Sequence, residues 1–134
     1  MNLAILSYLS RSTVGLTLVT TGILKLVGVH LDWEGQFIPF NYSLWVGLSI
    51  AEMLVGLAML LPSRFTIALG AAYVAIMLSA GFLLFHLVSL SNPSVKPCSC
   101  MGSGVHLSHV QMAAISAALL AGSIVGVLFP QKHS

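Results

Sequence analysis

The chain has 134 residues, of which 57% are hydrophobic and 6% charged, with a net charge of +2. Its mean hydropathy is +1.01, whereas soluble domains carry roughly 25% charged residues. That balance excludes a soluble appendage and a separate nucleotide-binding module, and five scattered basic side chains make no patch for nucleic acid.

Four apolar stretches of about 20 residues, each long enough to cross a hydrocarbon core of about 30 Å, predict an all-α fold. The fold is an integral membrane four-helix transmembrane bundle, a single domain over residues 1–134. Met1 to Arg11 has neither a basic flank before its apolar residues nor a small-residue cleavage site, so it is not read as a signal peptide. Helix one is predicted over 12–29. Inside it lies Lys25, an ionisable group placed where such groups are costly and face a partner or a cavity.

The loop from His30 to Tyr42 holds Trp33, Phe37, Phe40 and Tyr42, followed by Trp45. Such rings favour the membrane interface, and the bland reading is an aromatic belt. The sharper one makes Trp33, Phe37 and Trp45 a wall for a hydrophobic cofactor such as a quinone, entering between helices. Helix two is predicted over 43–61 and carries Glu52. Lys25 lies roughly 7 Å and Glu52 roughly 14 Å from the same ends of their helices at 1.5 Å per residue, a gap a lysine stem spans. A structural ion pair pinning the two helices is the alternative to a functional one.

Pro62 stops helix two, and Ser63 can cap helix three, predicted over 65–90. His86 lies about one turn from its end. Helix four is predicted over 108–129, opened by Ser108-His109-Val110-Gln111 with capping-box spacing and closed by Pro130. Small residues recur on it at Ala114, Ala118, Gly122 and Gly126, and on helix one at Gly15 and Gly22, as close-packing faces.

The basic residues Arg11, Arg64 and Lys132 share one side, with Lys96 on the other, so the positive-inside rule puts both termini in the cytoplasm of an inner-membrane, multi-pass protein. The connector from Ser91 to Leu107 then faces the periplasm or exterior, where disulfides persist. It contains both cysteines, in Pro97-Cys98-Ser99-Cys100-Met101-Gly102. A disulfide between Cys98 and Cys100 closes too small a loop to stabilise through chain entropy, and such strained disulfides are oxidising and exchangeable. Lys96 and the start of helix four favour the thiolate. Lys25, Glu52 and His86 form a proton-handling layer beneath it.

Four readings of this connector compete. A thiol–disulfide oxidoreductase would exchange disulfides with an exported or periplasmic protein and pass electrons to a membrane quinone. A reductant-exporting thiol carrier would be fed by a cytoplasmic thioredoxin. A thiophilic metal-ion binding or transport protein would use Cys98, Cys100, His106 and His109 as ligands; the preferred reading has no metal. A scaffold whose cysteines only bind is the non-enzymatic case.

The chain resembles the MauE proteins of methylamine utilisation, which belong with the broader DoxX-like four-helix membrane proteins. The resemblance rests on Thr21-Gly22-Ile23-Leu24-Lys25-Leu26, on Glu52 followed by Gly56, and on the Cys98-Ser99-Cys100 connector. The family typically shows a Pro-Cys-Gly-Cys-Phe-Gly-like signature there. Ser99 and Met101 depart from it, and serine makes the turn less permissive than glycine. The resemblance implies a membrane-embedded thiol–disulfide oxidoreductase that assists disulfide formation or redox maturation of exported proteins.

Overall fold

The computed structural model describes residues 3–31, 42–61, 66–92 and 107–129, and all regular structure among them is helical. The helices are α1 (Leu3–Leu31), α2 (Tyr42–Leu60), α3 (Thr66–Leu90) and α4 (His109–Leu128). At 19, 25 and 20 residues, α2, α3 and α4 are each long and apolar enough to cross a membrane. Their bounds lie within one residue of the apolar runs that predict them.

α1 departs from its predicted range. The sequence places its start at Ser12, but the helix begins at Leu3 and runs for 29 residues, about 43 Å at 1.5 Å per residue. Arg11 therefore lies inside the helix rather than before it. Its Nη2 donates to the carbonyl oxygens of Met59 and Leu61, both at 3.3 Å. The last carbonyls of a helix have no intrahelical partner and carry the negative end of its dipole. The cation caps α2 from the side, which is why α1 continues through it.

The bundle is packed with small residues inside and large apolar ones outside. Ala68, Ala72, Ala75, Ser49 and Ser123 have no exposed surface, whereas Leu44, Leu54, Ile67, Met77 and Leu128 are exposed. In lipid no hydrophobic force drives helices together, so close approach through small side chains does. This distribution, with the three apolar helices, makes the chain a helical membrane protein. Several buried hydroxyls bond within their own helices, as Ser49 does to Trp45 O at 2.9 Å and Ser123 to Leu119 O at 2.8 Å, which removes their cost in an apolar medium.

Each helix packs on the next, and α4 returns to α1, closing a four-membered ring. The tightest seam is α1 against α2. A Cβ on Gly56 would stand 2.6 Å from Gly15 O, and one on Gly22 would stand 2.8 Å from Ser49 O. Backbones therefore touch at two levels, and the pairing of 15 with 56 and 22 with 49 makes the helices antiparallel. Toward the chain termini, Ser10 Oγ donates to Gly122 O at 2.8 Å, and a Cβ on Gly126 would stand 2.5 Å from Arg11 Cγ.

The small-residue face predicted on α4 is only half used. Gly122 and Gly126 pack on α1, but Ala114 and Ala118 are exposed. Ala118 lines an open groove of about 440 Å³ between α1 and α4, with Leu6, Thr13 and Thr17. A period of four residues marks a stripe without saying how far along it the neighbouring helix stays in contact.

Candidate functional site

α1 and α3 end where α2 and α4 begin, and the buried ionisable side chains Lys25, Glu52 and His86 lie between the bundle centre and this connector end. Lys25 sits on α1 one turn beyond Gly22, and Glu52 on α2 between Ser49 and Met53, the two residues that Gly22 meets. Lys25 is therefore nearer the connector end than its partner. Side chains on a helix lean toward its N-terminus, so the lysine stem runs back toward the bundle centre and reaches the carboxylate. Nζ donates to both oxygens, at 2.6 Å and 2.7 Å. The side chains are 4% and 1% exposed, so a fully paired charge couple is sealed among apolar helices.

Two aromatic faces complete the ammonium's surroundings. Nζ lies 4.6 Å from the centroid of Phe82 and 5.3 Å from that of Trp45. Rings at this range attract a cation through their quadrupole. Trp45 itself is 1% exposed and packs with Met112, Phe85 and Ile115. Its place is inside the bundle against Lys25, rather than on an open wall. Its Nε1 has no hydrogen-bond partner among the described residues.

One turn along α3 from Phe82 stands His86, with no exposed surface. Its Nδ1 is 3.1 Å from Nδ1 of His109, the first residue of α4, with the rings tilted by 45°. One imidazole donates and the other accepts. Phe85 meets His86 edge-on at 5.1 Å between centroids. Among the described residues His86 Nε2 is buried without a hydrogen-bond partner. His109 is held by the cap of α4: Ser108 Oγ accepts from Gln111 N at 3.3 Å, and Gln111 Oε1 accepts from Ser108 N at 2.9 Å. This is the capping box that the sequence predicts.

Beside the ion pair lies a cavity of about 40 Å³, lined by Thr21, Lys25, Glu52, Phe82, Met112 and Ser116 among others. It has room for a water or two, for which about 10–15 Å³ each suffices, but not for a quinone ring. Among the described residues no three His, Cys, Asp or Glu come together as a metal site. Cys98, Cys100, Lys96, His106, Trp33 and Phe37 lie outside the described residues. The structure thus brings together Lys25, Glu52 and Trp45, and joins His86 to His109, a partner the sequence reading assigned instead to the Cys98, Cys100 and His106 set. The signal for that pairing was positional: both histidines lie near the helix ends that flank one connector.

A family model described as methylamine utilisation protein MauE matches residues 3–129. The chain belongs to the MauE family. No curated protein and no solved structure matches it. The residues that carry the resemblance to MauE in the first two helices meet in space: Gly22 and Gly56 hold α1 against α2, and Lys25 pairs with Glu52 in the seam they create.

Proposed function

We propose that this MauE-family protein is a membrane-embedded thiol–disulfide oxidoreductase whose Cys98 and Cys100 exchange disulfides with exported proteins. The observation that carries the reading is a sealed Lys25–Glu52 pair inside the bundle and a part-buried His86–His109 pair toward the end where the Cys98-Ser99-Cys100 connector is attached. Ionisable groups inside a membrane bundle are expensive and belong to functional sites. Four spans with both termini in the cytoplasm would put that end in the periplasm or exterior, where an exported partner meets it.

The chemistry balances with one disulfide and one acceptor. A thiolate of the partner attacks the Cys98–Cys100 disulfide and displaces one sulfur as a thiolate, giving a mixed disulfide. The partner's second thiolate resolves it, so the partner leaves oxidised and both cysteines are reduced. A membrane quinone then takes two electrons and two protons, re-forming the disulfide and leaving as quinol. The cavity at Lys25 is too small for that ring, so the quinone would meet the thiols at the connector. Lys25, Glu52, His86 and Lys96 tune the thiols from around and beneath.

The test is covalent trapping. With Cys98→Ser and Cys100→Ser, one variant is expected to accumulate a mixed disulfide with an exported protein, and both lose turnover. Full function in both variants would refute the reading. A second reading has one observation in its favour: Nδ1 atoms 3.1 Å apart are close to the roughly 3.3 Å between two nitrogens on one tetrahedral metal with ligands at about 2.0–2.1 Å. Stoichiometric metal retained by the wild type and lost in His86→Ala would put metal handling first.

A further inference from the structure

The two polar layers are separated by a single helical turn, and the cavity lies beside the inner one, with neither histidine in its lining. Its lining residues Phe82 and Met112 mark the side toward the connector end. His86 lies one turn beyond Phe82 on α3, and His109 one turn beyond Met112 on α4, each step about 5.4 Å. On its other side the cavity is lined by Lys25, Glu52, Thr21 and Ser116. His86 meets His109 through Nδ1 and leaves Nε2 buried with no partner among the described residues. Such a nitrogen is costly if it stays unsatisfied, and a water reaching it from the cavity one turn away would relieve that cost.

We propose that the Lys25–Glu52 pair, one or two waters in this cavity, His86 and His109 form, in that order, a proton path from the bundle interior to the connector end. An imidazole passes a proton by taking it on one nitrogen and releasing it from the other, and His86 offers one nitrogen to each side. Around His86 the described titratable groups are Lys25 from α1, Glu52 from α2 and His109 from α4. The purpose of the path rests on the oxidoreductase reading, but its existence does not. As quinone oxidises Cys98 and Cys100, each S–H proton leaves while the S–S bond forms, and two electrons and two protons end on the quinol. The path holds a thiol proton in the interim: His109 accepts it, His86 relays it inward, and Glu52 stores it beside the Lys25 ammonium.

Histidine-labelled protein in lipid nanodiscs tests this by nitrogen NMR, with the signals assigned by His86→Gln. Although His86 has no exposed surface, its ring N–H should exchange with deuterated solvent at least 10-fold faster in the wild type than in His109→Phe. His109→Gln, which keeps a polar group at the helix start, should show the same slowing if the aromatic variant fails to fold. Imidazole in the buffer should restore exchange in His109→Ala, which a merely structural histidine would not allow. Equal exchange in wild type and His109→Gln overturns the path. In the same samples quinone-driven thiol oxidation near neutral pH should fall at least 10-fold in His109→Gln, within the range for acid–base assistance, with the deficit closing at alkaline pH. If ring exchange slows but wild-type cysteines never oxidise, the path stands and the oxidoreductase reading falls. If ring exchange and oxidation are both unchanged, the path falls and the reading stands.

Discussion

Replacing one member of the Lys25–Glu52 pair, and then both, separates the cost of burying charge from the use made of it. Both carboxylate oxygens accept from Nζ within 2.7 Å, and neither side chain is more than 4% exposed. Removing one partner of such a pair typically costs about 3–5 kcal/mol, because the other is left charged and buried. Lys25→Met leaves a carboxylate with no compensating ring and should cost the full amount. Glu52→Gln leaves an ammonium still facing Phe82 and Trp45. Cation–π attraction offsets up to about 2 kcal/mol at desolvated sites, so this variant should lose only about 1–3 kcal/mol. Lys25→Met with Glu52→Leu removes both charges at similar volume and should fall within about 1 kcal/mol of the wild type. The assay is reversible unfolding in mixed detergent micelles followed by circular dichroism. A double variant as unstable as Lys25→Met, or single variants costing under about 1 kcal/mol, would refute the sealed-pair account. A stable double variant that no longer oxidises thiols would separate the pair's role in function from its role in stability.

Three further outcomes follow from the packing. Gly56→Val drives a side chain into the α1 backbone, where a Cβ alone would stand 2.6 Å from Gly15 O; overpacking of this kind costs about 1–3 kcal/mol, whereas Gly47→Ala, with open space around it, should be neutral by the same unfolding assay. Ser108→Ala removes the capping hydroxyl of α4 and should cost about 1 kcal/mol, with faster hydrogen exchange confined to the first turn of that helix. Arg11→Met breaks two hydrogen bonds from a charged donor to Met59 O and Leu61 O, each worth about 1.5–3 kcal/mol, and should fray the last turn of α2 in exchange measurements.

Apolar run length made α2, α3 and α4 legible to within a residue, because in a membrane a single local property decides where a helix can lie. The start of α1 was not legible for the opposite reason. Arg11 looks like a flank until the carbonyls at the end of α2 that receive it are seen, 48 and 50 residues away. The Lys25–Glu52 pairing could be read from depth, since two ionisable groups whose depths differ by no more than a lysine stem spans, on adjoining helices, have few other partners. The His86–His109 contact needed the register of α3 against α4, which no run of residues encodes. The exposed Ala114 and Ala118 show the same limit: spacing reveals a face, and only the neighbouring helix decides how much of it is covered.

The most direct test of the central claim is a redox titration of Cys98 and Cys100 in purified protein, by thiol alkylation across a graded glutathione series, with and without a membrane quinone. The account predicts a reversible two-electron transition, with quinone restoring the disulfide. Thiols that stay reduced and unreactive toward quinone while the protein retains a metal would contradict it.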